Sequence, residues 1–191
     1  MTDTAGNDII SVLLEDHQEV RQLLTRVASA TGDAKKTAFQ ELVSELARHE
    51  TAEEEVLYPA VRRSVDGGDD LADARREEEH KGERLLADLE KRDVGAPDWD
   101  ASFQELQQAV LAHAEAEETE VFPRLREVTG REDLERMGKV LGLAKKVAPT
   151  HPHPNVPTSA TAKAIAGPMA KVIDLTRDAI RDALEKVGTE R

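Results

Sequence analysis

Residues 49–62 read His-Glu-Thr-Ala-Glu-Glu-Glu-Val-Leu-Tyr-Pro-Ala-Val-Arg, and residues 113–126 read His-Ala-Glu-Ala-Glu-Glu-Thr-Glu-Val-Phe-Pro-Arg-Leu-Arg. His49, Glu53, Glu54, Pro59 and Arg62 thus recur as His113, Glu117, Glu118, Pro123 and Arg126. In each copy a His is followed four residues later by a Glu, which on an α-helix places both side chains on one face, one turn apart. Upstream echoes extend the repeat. Glu15-Asp16-His17 with Arg21 lies 32 residues before His49, counted His to His, and Glu78-Glu79-His80 with Arg84 lies 33 before His113. Four of the six His therefore fall one per predicted helix, as in two helical hairpins related by a pseudo-twofold axis.

The apolar residues keep a helical period around these motifs. A first helix is predicted over residues 9–30, N-capped by Asp8, with Ile10, Leu13, Leu14, Val20, Leu24 and Val27 flanking His17. A second runs over 34–64, with Pro59 expected to kink or break it at the preceding turn. A loop at 66–70 leads to a third over 71–92, and Gly95-Ala96-Pro97 precedes a fourth over 98–128. Such lengths and short connections predict an all-α, up-down-up-down four-helix bundle. Residues 132–147 make a fifth helix. The expected organisation is a bundle plus fifth helix over 1–147, a Pro/His-rich linker over 148–158 that contains His151 and His153, and an amphipathic helical segment over 159–191 able to join a second copy. In the third helix Leu85, Leu86 and Leu89 lie largely away from His80 if the helix is ideal, and a π-bulge near Gly82 would reconcile them.

Composition narrows the chemistry. A net charge of −13 on 191 residues opposes binding to a phosphate backbone. The absence of Cys leaves His and carboxylate as the metal donors, a set that suits iron, manganese or zinc. No apolar run is long enough to span a bilayer and the amino terminus lacks a basic-then-apolar leader, so a cytoplasmic protein is expected.

A His on an apolar helix face is usually a satisfied core residue. Two Glu residues on the same faces change the balance, because unpaired carboxylates are costly to bury. A dry bundle would need Arg21 or Arg84 to pair with Glu53 or Glu117. With two metal ions, His17, His49, His80 and His113 give two nitrogens to each ion, and Glu53 and Glu117 can each bridge both. Six-coordinate metals would keep open positions.

His17, His49-Glu50-x-x-Glu53, His80 and His113-x-x-x-Glu117 over four helices resemble the hemerythrin-like, or HHE cation-binding, domain family, across about residues 8–128. The resemblance implies a non-haem di-iron centre, two iron ions with an oxo or hydroxo bridge, that binds or reacts with dioxygen, peroxide or nitric oxide. Ferritin-like bundles use Glu-x-x-His pairs instead, which neither repeat contains. The family's classical oxygen carriers have a further His one turn before the third-helix His, where this chain has Arg76 and Glu77. Glu50, matched by Ala114 in the other copy, is the candidate replacement ligand, with Glu77 next in line. A carboxylate in place of an imidazole favours the ferric state over a stable oxygen carrier. Peroxide or nitric oxide consumption in redox stress, catalase- or peroxidase-like, is one expected role; an oxygen or iron sensor or carrier without turnover is the other. Tyr58, matched by Phe122, either packs or sets a phenol beside the site.

Overall fold

The computed structural model describes residues 7–148. Asp8 caps the first helix, α1 (Ile9–Ser29), by accepting from the Ser11 amide at 2.9 Å, as its position before the apolar stripe predicts. Then follow α2 (Gly32–Ala52), a π-helical turn (Glu53–Leu57), α3 (Tyr58–Ser64), α4 (Gly68–Glu90), α5 (Trp99–Ala116), a second π-helical turn (Glu117–Val121), α6 (Phe122–Val128) and α7 (Arg131–Val147). There is no strand among the described residues. The units α2–α3 and α5–α6 each form one long interrupted helix, so with α1 and α4 they make the four-helix bundle, and α7 is laid against α1 and α2.

Each interruption has a chemical cause. Pro59 and Pro123 lack an amide hydrogen, and their rings exclude the carbonyl four residues earlier. The helix answers by widening one turn: the amides of Tyr58 and Phe122 donate five residues back, to the carbonyls of Glu53 and Glu117. A π turn brings residues five apart towards one face, so Glu53 and Tyr58 point into the bundle together, as do Glu117 and Phe122. The expected break at Pro59 is therefore present as a π turn. The bulge expected near Gly82 is not: α4 stays α-helical throughout, and its buried stripe runs Leu71, Ala72, Arg75, Glu79, Gly82, Leu86, Leu89.

The core is two apolar clusters with a polar band between them. One contains Ile9, Ile10, Leu13, Leu57, Val61, Val121, Leu125 and, from α7, Leu134, Val140, Leu141 and Ala144. The other contains Leu24, Val27, Phe39, Leu42, Leu86, Leu89, Trp99, Phe103 and Leu106. In α1 the stripe passes from Leu13 through Asp16 and His17 to Val20, and all four are buried. The other long helices cross the same level with His49, Glu53, Glu79, His113 and Glu117.

The fifth helix meets α1 through Gly138. A Cβ there would lie 2.3 Å from the Asn7 carbonyl oxygen, whereas one on Gly142 would meet nothing within 4 Å. Gly138→Ala is expected to cost about 1–3 kcal/mol by overpacking, and Gly142→Ala to add up to about 1 kcal/mol through helix propensity. Urea unfolding of the two variants checks both signs. The expected linker and C-terminal segment, with His151 and His153, lie outside the described residues.

Candidate metal centre

Two groups of donors occupy the polar band, and they share a residue. His17, His49, Glu53 and Glu117 offer ligand atoms within 4.8 Å of one another, and so do Glu53, Glu79 and His113. Glu117 also faces both halves: its Oε2 lies 3.3 Å from His17 Nε2 and 3.8 Å from His113 Nε2. His49 Nε2 lies 3.2 Å from Glu53 Oε2. The repeat's i, i+4 pairs thus do place an imidazole and a carboxylate side by side, twice.

From the third helix the structure brings Glu79, and not His80, into these donor groups. Glu79 is 4% exposed and lies one heptad before the core residue Leu86, whereas His80 is half-buried and belongs to neither donor group. The echo of Asp16-His17 in Glu79-His80 aligned the two His in sequence, but helix phase selects the residue before it. The signal was in the stripe itself, since Leu86 and Leu89 mark the face that carries Glu79. Glu77, the alternative carboxylate, is 77% exposed and pairs loosely with Arg84 at 3.7 Å, and neither belongs to a donor group. Arg21 bonds Glu118 at 2.8 Å, so neither Arg neutralises Glu53 or Glu117 as a dry bundle would need.

Each of the three central imidazoles turns one nitrogen inward and the other towards a carboxylate that is paired with a cation. His17 Nδ1 is 2.8 Å from Glu118, which also takes Arg21. His113 Nδ1 is 3.2 Å from Glu78, which pairs with Arg75 at 2.9 Å. His49 Nδ1 is 3.7 Å from Asp16, which takes Lys145 at 2.6 Å. At His17 and His113 the carboxylate is within hydrogen-bond distance and only accepts, so it keeps the imidazole proton on Nδ1 and leaves the Nε2 lone pair facing the interior.

Polar atoms in the band are buried without hydrogen-bond partners among the described residues: His17 Nε2, His113 Nε2, Glu117 Oε2 and both oxygens of Glu53. Buried polar atoms are normally satisfied, and these five, all metal-donor atoms, fit a bound cation; around them Asp16 Oδ2, His49 Nδ1 and Arg75 Nε and Nη1 also lack hydrogen-bond partners. Electrostatics agree. Burial and the neighbouring Glu117 charge push the Glu53 carboxyl well up, and burial with Glu50 does the same to Glu79. Burial alone would raise Glu117 too, but His113 and His17 hold it below the usual carboxylate range. Desolvation lowers the His49 pKa, which keeps the ring neutral and able to bind metal.

The halves of the repeat part company at Tyr58 and Phe122. The Tyr58 hydroxyl lies 2.6 Å from Glu79 and 3.0 Å from Glu117, and its single hydrogen is donated to one of the two at a time. The Phe122 ring stacks on His17, with centroids 5.7 Å apart. Tyr58 therefore bonds into the cluster, and Phe122, its counterpart, packs. Beside the cluster, Glu50, Glu79, Gly82, Ala109, Val110, Ala114 and the three imidazoles border a cavity with about 20 Å³ of space for a water-sized sphere, room for roughly one water. Glu50 is half-buried on that wall, its pKa raised well up by burial and then by Glu83.

A bundle with a buried band of imidazoles and carboxylates belongs to the class of helical metal-binding proteins. Residues 8–125 match the profile of the hemerythrin HHE cation binding domain, and this chain belongs to that family. It is 27% identical over 172 residues to an uncharacterised hemerythrin-like protein of Schizosaccharomyces pombe, covering 89% of this chain and 85% of the relative. It is 29% identical over 147 residues to a DNA nickase of Nostoc sp., covering 75% of this chain but 41% of that protein. The crystal structure of a hemerythrin HHE cation binding domain-containing protein from Mycobacterium kansasii shares the fold, with a TM-score of 0.66, 20% identity, and 92% and 98% of the two chains covered. No helix among the described residues is long and apolar enough to cross a membrane.

Glu83, at the rim of the band, has its pKa pushed from 4.5 to about 7 by burial and then Glu54, against Arg84 and Arg76. A carboxyl whose folded pKa is raised stabilises the fold below its unfolded pKa, and that contribution is lost as pH rises through the folded value. Between pH 4.5 and 7 the chelator-treated protein should therefore lose stability that Glu83→Gln does not lose. Urea midpoints of the two proteins, compared across that window, should diverge in favour of the variant as pH rises.

Proposed function

We propose that this chain holds two iron ions in its polar band and binds or reacts with dioxygen, peroxide or nitric oxide at open iron positions, in redox-stress handling. The observation that carries the reading is the pair of donor groups joined through Glu53, with Glu117 facing an imidazole from each. One ion would be held by His17, His49, Glu53 and Glu117, and the other by His113, Glu79, Glu53 and Glu117. The donors number three imidazoles and three carboxylates, a harder and more anionic set than four imidazoles and two bridges. Such a set suits iron or manganese over softer metals and favours the ferric state over reversible oxygen carriage.

When bound, iron would supply redox chemistry and Lewis acidity towards small oxygen or nitrogen ligands. The surrounding residues would do the rest. The cavity wall admits only small guests. Glu50, whose pKa is raised by burial and then by Glu83, borders that space and is retained as a candidate ligand. Tyr58 sits between the Glu79 and Glu117 oxygens, within hydrogen-bond reach of both, and donates its one hydrogen to either. The alternative is an oxygen or iron sensor or carrier, which would change with ligand or metal yet show no turnover of peroxide or nitric oxide. A nicking activity draws no support from the acidic balance of the chain, with its net charge of −13.

Metal analysis of the purified full-length protein should give about two irons per chain. Glu79→Gln should lower that content and His80→Ala should leave it intact; one zinc with no iron, when both are supplied, would overturn the reading. Glu50→Ala should keep both irons and change the rate of reaction with peroxide or azide. Unchanged kinetics and spectra would assign Glu50 to the cavity wall alone.

A further inference from the structure

Behind His49 lies a charged network that the fifth helix completes. Lys145, near the end of α7, donates to Asp16 Oδ1 at 2.6 Å and to Glu45 at 2.9 Å, bringing α1, α2 and α7 together on one ammonium. Glu45 also takes Arg48 at 2.7 Å. Asp16 and Glu45 are 6% and 4% exposed, and the Lys145 side chain is 18% exposed. This is the most enclosed of the three carboxylate–cation pairs behind the imidazoles, since Glu118 and Glu78 are 26% and 40% exposed.

The other Asp16 oxygen is the informative one. Asp16 Oδ2 and His49 Nδ1 are both buried without hydrogen-bond partners, and they face each other at 3.7 Å. Closing that gap by roughly 0.7 Å would make an ordinary N–H···O bond of about 3.0 Å. A cation drawing on Nε2 makes the Nδ1 hydrogen a stronger donor, so metal binding and the Asp16 contact reinforce each other. Lys145 holds Asp16 from the opposite side, and without it two carboxylates would share the buried space with Arg48 alone.

We propose that Lys145 is a positioning residue for the metal centre: through Asp16 it fixes the tautomer and orientation of His49, so that the fifth helix is a working part of the site and not only a cover for the bundle. The inference rests on the two-ion reading above for its affinity test, but its geometric part does not. Glu45 is the internal control, because it shares Lys145 and α7 docking, while its hydrogen bonds go to Arg48 and Lys145 and none to His49.

The test uses the full chain in six forms: wild type, Lys145→Met, Lys145→Arg, Asp16→Asn, the double variant Lys145→Met with Asp16→Asn, and Glu45→Gln. Competition between protein and a chelator for added iron(II) reads affinity, and the imidazole nitrogen signals of His49 in the metal-free protein read its tautomer and environment. Lys145→Met and Asp16→Asn are expected to weaken one of the two ions about 10–100-fold, with no further loss in the double variant, and to shift the His49 signals. Glu45→Gln should do neither, and Lys145→Arg should restore most of the affinity. Equal losses in Glu45→Gln, or unchanged affinity and unchanged His49 signals in Lys145→Met, would overturn the proposal. Should Lys145→Met fail to fold, Asp16→Asn against Glu45→Gln decides by the same two readouts. If wild type binds fewer than two ions, the two-ion reading fails, and the His49 signals still decide the role of Lys145.

Discussion

The structure depends on burying carboxylates in a bundle whose remaining interior is apolar. Glu53 and Glu117 are 0% exposed, with Glu79 beside them, and ionised groups in such surroundings are tolerated only with compensating charge. Direct pairing with Arg or Lys does not supply it: the cations of the region, Arg21, Arg75 and Lys145, reach the outer carboxylates Glu118, Glu78 and Asp16 instead. The centre is thus built in layers, with cations outside, carboxylates next, imidazoles within, and Glu53, Glu79 and Glu117 innermost. That order leaves the charge of the innermost layer for a metal to balance.

Backbone geometry makes the layering possible. A continuous α-helix shows one residue per turn to a bundle interior with a drifting phase. The π turns before Pro59 and Pro123 reset that phase, so His49, Glu53 and Tyr58 share an inward face, and His113, Glu117 and Phe122 do likewise. The repeat then breaks its own symmetry with one oxygen atom. Tyr58 brings a hydroxyl to the half that contributes Glu79, and Phe122 brings a bare ring to the half that contributes His17. Two similar donor groups thereby acquire different surroundings.

The fifth helix illustrates how cover and chemistry merge. Its apolar residues Leu134, Val140 and Leu141 complete one core cluster, Gly138 lets it approach the start of α1, and Lys145 reaches the carboxylate behind His49. A helix that the bundle does not need for its topology becomes continuous with the site.

Much of this was legible in the sequence because helices write their faces in local spacing. Apolar periodicity gave the four long helices and the fifth, and the His-x-x-x-Glu pairs gave His49, Glu53, His113 and Glu117, since residues four apart must be neighbours on one turn. His17 lay in an unbroken stripe and was found for the same reason. Helix phase relative to partners is not local, and there the reading of residues 78–80 chose His80 from a sequence echo, where packing of Leu86 and Leu89 rotates Glu79 inward. The carboxylates and cations behind the imidazoles, Glu118, Glu78, Asp16 and Lys145, join residues 35 to 129 positions apart. Sequence by itself determined which turns carry donors, because a helix fixes its own periodicity; only the tertiary structure decided which donors meet, because rotation about each helix axis is set by the packing of its neighbours.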